Sequence, residues 1–433
     1  MMNLFYLFSL VPFIYIYDIY MFQFSFLFLM IMIFKTNFYM FYCSISYFFG
    51  VDFYSYWMLF LLIFIIMMTL FCFNYKNLII FFFVILILLF SLKLVFFSMN
   101  IMVMYMFFEF SLIPLIVLVF GWGYQPERLV SGFYLFFYTL FSSLPLLIFI
   151  FNLYFNNSFF FDLVLMLNYS FYLNFCLIFS FLVKFPMFML HFWLPKAHVQ
   201  APLFGSMILA GITLKLGGYG MIRFMFMFED VFVCYSYIWY SLSIYGSFLV
   251  SYICLIQSDL KFLIAYSSIS HMGLCIMGFS SMLSLGVLGS YLMLICHGFC
   301  SSGLFCLAGF YYNYIYSRSF FINKGMMNYF PSMSMFWFFF CSINMSCPPS
   351  VNFLSEFLIM NSMISYSSIS LFFMFLIFFF VSCFNFYLFS YMNHGKMYFS
   401  FSMELGSVLH YMIIFFHMIY LFMFNFYFYF ILF

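Results

Sequence analysis

Charge is what this 433-residue chain has least of: Asp, Glu, Lys and Arg make up 5% of it, against 69% hydrophobic residues. Soluble domains carry about 25% charged residues, so the composition implies an integral membrane protein. The net charge is +2 with no basic cluster, which removes the electrostatic footprint for nucleic acid. Twelve cysteines include no C-x-x-C. Cys296 and Cys300, one turn apart, read as small buried apolar residues rather than a metal clip, and no iron–sulfur site is expected in this chain. The seven histidines lack the repeated pairs on facing helices that would ligate two haems. The opening MMNLFYLFSLVPF has no basic n-region, cleavage-site signature or Arg-rich presequence, so no import signal is expected.

Alanine is equally scarce. Ala197, Ala201, Ala210, Ala265 and Ala308 stand against 83 Phe, 38 Tyr and 38 Met. Small residues suit membrane helices, so physical need does not explain the loss. A thymine-rich, organelle-type genome does, and stretches that escape its bias become candidates for constraint. All five alanines lie between 197 and 308, and five of the 20 glycines lie between 201 and 220.

What is present is a series of apolar runs near the 20 residues that a span needs. They predict an all-α polytopic protein of about fourteen transmembrane helices near 2–17, 20–35, 55–74, 77–98, 99–120, 131–152, 171–192, 203–226, 231–253, 261–280, 283–311, 332–361, 367–391 and 407–431. The runs do not alternate polar and apolar residues, so helices rather than a β-barrel satisfy the backbone in lipid. Breaks at Pro186 and at Pro348-Pro349, one per half, are what two inverted repeats with broken helices would show. Domain boundaries follow: 1–76 N-terminal helices, 77–228 and 229–392 two bundles, 393–433 a C-terminal helix.

Four ionisable residues sit inside these runs, where each costs roughly 2.5–3.5 kcal/mol on insertion scales. Lys184 follows a dozen nearly all-apolar residues and precedes Pro186. Its head is about 10 Å of helix from His191, too far for easy escape to water. Glu109 lies five residues before Pro114, and is either a neutral hydrogen-bonded carboxyl or the ionised partner of Lys184. Lys215 precedes Gly217, Gly218 and Gly220, a packing face that still leaves the lysine in need of a polar neighbour. Glu356 follows the proline pair, either capping freed backbone or ending a proton path. His271 and His297 lie within helices and suit a relay. His191 and His198 flank Trp193 in what reads as a loop or half-buried turn. Lys93 is expected to snorkel. Glu127 with Arg128, and Asp259 with Lys261, are expected as interfacial ion pairs or loop anchors. Asp52 reads as a residue of a connecting segment.

The strings YMFFEFSLIPLIVLVFGWGYQPERLVSGFYLFFYTLFSSLPLL, VKFPMFMLHFWLPKAHVQAPLFGSMILAGITLKLGGYGMIR, QSDLKFLIAYSSISHMG, CHGFCSSGLFCLAG and PPSVNFLSEFLI occur in that order. They resemble the chain 4 family of mitochondrial NADH:ubiquinone oxidoreductase (respiratory complex I), over roughly residues 95–365. The resemblance implies an antiporter-like fold of fourteen helices with two inverted five-helix bundles. It implies a proton-translocating subunit of the inner mitochondrial membrane, surrounded by lipid and by the neighbouring antiporter-like subunits. NADH, FMN, iron–sulfur clusters and ubiquinone would be held by partner subunits, and no cofactor by this chain. It matches Glu109 and Lys184 to a charge pair, Lys215 to a central lysine, His297 to a relay histidine and Glu356 to the carboxylate of the second bundle. Gln200 stands where the family usually has glutamate and Ile256 where arginine is common, both expected near membrane surfaces. A structural spacer without a proton path, and a free-standing cation/proton antiporter, remain alternatives at this point.

Overall fold

Long apolar segments with no water to satisfy free peptide groups fold as helices, and helices make up almost all of the computed structural model. It describes residues 49–72, 78–155, 170–396 and 406–432, with residues 6, 10, 25–30 and 161. The predicted spans 2–17 and 20–35 lie largely outside them, although 25–30 is helical.

In chain order the helices are α1 (Phe53–Phe71), α2 (Leu78–Phe97), α3 (Ile101–Phe110), α4 (Leu112–Trp122), α5 (Arg128–Phe155), α6 (Phe171–Lys184), α7 (Trp193–Gln200) and α8 (Leu203–Ile208). A π-turn at Leu209–Thr213 leads into α9 (Leu214–Met227). Then follow α10 (Glu229–Cys254), α11 (Leu260–Ser280), α12 (Ser284–Ile315), α13 (Pro331–Asn344), α14 (Val351–Tyr366), α15 (Ser370–Asn393) and α16 (Val408–Leu432). Among the described residues eight stretches are long and apolar enough to cross a membrane, with α3 and α4 acting as one span.

Two predicted spans are split. The 171–192 helix ends at Lys184, because Phe185 precedes a proline and is held extended at φ −95°, ψ 91°. The chain resumes as α7, a buried helix with only Lys196 exposed, where a loop or half-buried turn was expected. Trp193 Nε1 donates to Val183 O at 2.9 Å, pinning the break. The 332–361 span is split between Asn344 and Val351. There Asn352 Nδ2 donates to Ile343 O at 2.9 Å, satisfying a carbonyl at the broken end. Each break holds a non-glycine residue in the left-handed region, Met189 at φ 73° and Ser346 at φ 56°, a conformation that surrounding packing must impose.

Glycine makes the central packing possible. A Cβ on Gly217 would lie 2.8 Å from Phe185 N and 2.9 Å from Phe181 O, so α9 lies flush against the broken end of α6. A Cβ on Gly298 would lie 3.2 Å from Gly211 O, which brings the π-turn backbone against α12. The central elements are the most enclosed: the spans formed by α8 to α9 and by α12 are 100% buried, whereas that of α15 is 33% buried.

Candidate functional site

The first charge pair is built at the kink between α3 and α4 and the broken end of α6. Lys184 Nζ lies 3.5 Å from Glu109 Oε1, with both side chains largely buried. At an effective dielectric of about 20 this is on the order of 5 kcal/mol of gross attraction. The ammonium makes its shorter bond elsewhere, donating to Phe108 O at 2.8 Å and resting over the Phe108 ring. Neither carboxylate oxygen of Glu109 has a hydrogen-bond donor among the described residues. The pair is close and loosely fastened.

Lys184 also lines a cavity of about 10 Å³ with Ser111, Thr139, Trp193 and Thr213, space of the order of one water. Thr213 closes the π-turn that delivers Lys215. Such turns widen a helix by one residue and recur at functional positions. Lys215 Nζ donates to Ala210 O of that turn at 2.6 Å and lies 3.0 Å from His297 Nδ1 on α12.

Beyond this hydrogen bond the row continues by proximity, since neither ring nitrogen of His271 nor Glu356 Oε1 has a hydrogen-bond partner among the described residues. The rings of His297 and His271 have centroids 5.4 Å apart, and His271 Nδ1 lies 3.7 Å from Glu356 Oε1. Ser346, in the second helix break, donates to Glu356 Oε2 at 2.5 Å. The six singled-out residues thus fall into two groups. Glu109 and Lys184 form one; Lys215, His297, His271 and Glu356 form a row across α9, α12, α11 and α14.

Several other expectations are corrected. Lys93 does not snorkel: it is 1% exposed, and its Nζ has no hydrogen-bond partner among the described residues, because residues 91–96 near the end of α2 are all buried. Glu127 and Arg128 do not pair. Arg128 Nη1 donates to Gly123 O at 2.8 Å, closing the end of α4, while Glu127 accepts from Gln200 Nε2 at 3.0 Å. Lys261 turns from Asp259 into the protein, donating to Ala201 O at 3.0 Å and satisfying the end of α7. Gln200 is buried, lining a cleft of about 700 Å³ with Glu127, Lys196, Asp259 and Arg318, whereas Ile256 is 69% exposed.

One buried charge pair was missed. Arg223 Nη1 and Nη2 contact Asp52 Oδ2 and Oδ1 at 2.7 and 2.8 Å, a bidentate pair joining α9 to the start of α1. Tyr219 accepts from Arg223 Nε at 2.9 Å and donates to Phe96 O at 3.1 Å. Asp52 also caps α1, accepting from Ser55 N at 2.8 Å while Ser55 Oγ accepts from Asp52 N. The signal was available: Asp-x-x-Ser before an apolar run is a capping pattern, and Arg223 is an arginine within a span.

A polytopic helical protein with two broken helices and a buried row of lysine, histidine and carboxylate side chains defines a class, the antiporter-like membrane proteins. Residues 98–385 match the family described as NADH:quinone oxidoreductase/Mrp antiporter, TM. NADH-ubiquinone oxidoreductase chain 4 of Aedes aegypti is 49% identical over 84% of this chain and 83% of its own length; that of Ceratitis capitata is 45% identical over 87% and 86%. The chain 4 protein of Rhipicephalus sanguineus is 41% identical over 80% and 79%. A solved structure of respiratory complex I from Thermus thermophilus with bound NADH contains a similar fold, with TM-score 0.83 and 21% identity over 92% of this chain and 88% of that one. The chain belongs to the NADH:quinone oxidoreductase/Mrp antiporter family and, within it, to the NADH-ubiquinone oxidoreductase chain 4 proteins.

Proposed function

We propose that this chain is a core membrane subunit of respiratory complex I. It translocates protons across the inner mitochondrial membrane, driven by electron transfer from NADH to ubiquinone in partner subunits. Membership of the chain 4 proteins supports the assembly, and the buried polar row supports the proton role. NADH, FMN, iron–sulfur clusters and ubiquinone belong to the partners. The neighbouring antiporter-like subunits and membrane lipid surround this chain.

The pair Glu109–Lys184 acts as the first switch. While the two are close, the carboxylate holds the lysine as an ammonium; when they part, Lys184 loses its counter-charge and releases a proton towards Lys215 by way of Thr213. Lys215 gives its proton to His297 Nδ1. The ring passes one from its other nitrogen to His271, and His271 protonates Glu356, which exchanges with one aqueous side. Each transfer moves one proton and leaves its donor ready for the next. On this reading residues 77–228 form the first bundle and 229–392 the second, flanked by N-terminal helices in 1–76 and a C-terminal helix in 393–433.

The observation that carries the reading is the row of titratable side chains from Lys215 to Glu356 across four helices, hydrogen-bonded at Lys215–His297 and in proximity beyond it. Lys184→Met in the complex reconstituted into vesicles is the test. Loss of pumping together with slowed NADH oxidation is expected. Normal pumping would overturn the proposal, and reduced assembly with an unchanged proton-to-electron ratio would mark the charges as structural.

A further inference from the structure

Three sulfur atoms from distant parts of the chain meet where α1 ends. Cys72 follows the last residue of α1, and its Sγ donates to Met207 Sδ of α8 at 3.9 Å. The same Sγ lies 3.9 Å from Cys306 Sγ on α12. Either thiol can donate in the contact between the two cysteines. Cys72 is half-buried and Cys306 buried, so a small oxidant reaches Cys72 first. A disulfide needs an S–S separation of about 2.05 Å. The two Sγ atoms stand ~2 Å farther apart than that, so forming the bond requires the side chains to turn towards one another.

We propose that Cys72 and Cys306 form a redox modification site, joined as a reversible disulfide when the membrane is exposed to hydrogen peroxide. The Cys72 thiolate attacks one peroxide oxygen, breaking the O–O bond, and yields a sulfenic acid and hydroxide, which takes the thiol proton to become water. The sulfur of Cys306 then attacks the sulfenic sulfur, forming S–S and expelling a second hydroxide, which takes the Cys306 proton. Two thiols are oxidised by two electrons in all, and one peroxide is reduced to two waters. A thiol reductant reverses the bond. The bridge fastens the end of α1 to α12, nine residues beyond His297, or about 13 Å along the helix. It also removes the Cys72 hydrogen from Met207, on the helix that leads into the π-turn and Lys215.

The test uses mitochondrial membranes holding the intact complex, treated with graded hydrogen peroxide, alkylated, digested without reduction and analysed by mass spectrometry. The expected product is a linked peptide pair containing Cys72 and Cys306, two hydrogens lighter than its parts, which dithiothreitol converts to two free thiols together. The proposal is overturned if both thiols stay free up to the dose that abolishes complex activity. It is equally overturned if Cys72 is recovered as a sulfinate or mixed adduct while Cys306 remains alkylatable, or if either is linked elsewhere. In a Cys72→Ser variant Cys306 should remain fully alkylatable at the same doses.

Discussion

Lys215 Nζ lies 3.0 Å from His297 Nδ1, although the two residues are 82 positions apart. When Lys215 is an ammonium it only donates, so His297 then accepts at Nδ1 and carries its own hydrogen on Nε2. The ring is thereby oriented to hand one proton on as it receives another.

Replacing His297 by leucine removes that acceptor and leaves Lys215 bonded to Ala210 O alone. A hydrogen bond to a charged group contributes about 1.5–3 kcal/mol, so turnover coupled to pumping should fall roughly 10- to 100-fold. His297→Gln, which keeps an acceptor but has no second protonation state, should assemble normally and pump as poorly. Proton uptake measured in vesicles distinguishes them from wild type; a fully active glutamine variant would remove His297 from the path.

Arg223→Met leaves Asp52 as an uncompensated carboxylate at a buried helix end. Breaking a buried pair costs about 3–5 kcal/mol, so the amount of assembled complex on native gels should drop severely. The proton-to-electron ratio of whatever assembles should be unchanged. Adding Asp52→Asn should recover part of the assembly, because the amide oxygen still caps α1.

Gly217→Ala places a methyl against Phe185 backbone, whereas a methyl on Gly121 meets nothing within 4 Å. Overpacking of this kind costs about 1–3 kcal/mol. The first substitution should reduce thermal stability of the purified complex, and the second should leave it unaltered. Equal melting temperatures for the two variants would contradict the flush contact between α9 and α6.

Lys93→Met exchanges an enclosed amine with no described hydrogen-bond partner for a similarly shaped apolar side chain. Burying an unpartnered polar group costs roughly 1–3 kcal/mol. Assembly should equal or exceed that of wild type with pumping intact. A pumping defect would give Lys93 a role that its surroundings do not explain.

Among the described residues eight spans could be read from apolar run length, and both breaks from Pro186 and Pro348-Pro349, because lipid leaves the backbone few alternatives. The clustering of Gly211, Gly217 and Ala210 pointed to the region where backbones touch: both glycines sit at close backbone approaches, and Ala210 O accepts from Lys215. Side-chain direction was not legible. Whether Lys93 turns inward, whether Lys261 meets Asp259 or the end of α7, and which distant carboxylate Arg223 finds depend on how helices rotate about their axes. Run length says nothing about that rotation. Asp52 does lie just before a span, as local composition indicated, but its partner was hidden, because only the tertiary fold brings Arg223, 171 residues away, to its side.

The unequal enclosure of the helices determines where added side-chain bulk can be accommodated. Phe372, Phe375 and Phe379 of α15 are 62%, 68% and 54% exposed, and on that outer flank one large ring can replace another aliphatic group with little consequence. On α12 a single added methyl at Gly298 would press on the π-turn backbone. Added bulk is therefore accommodated on the perimeter and excluded where glycines bring backbones together.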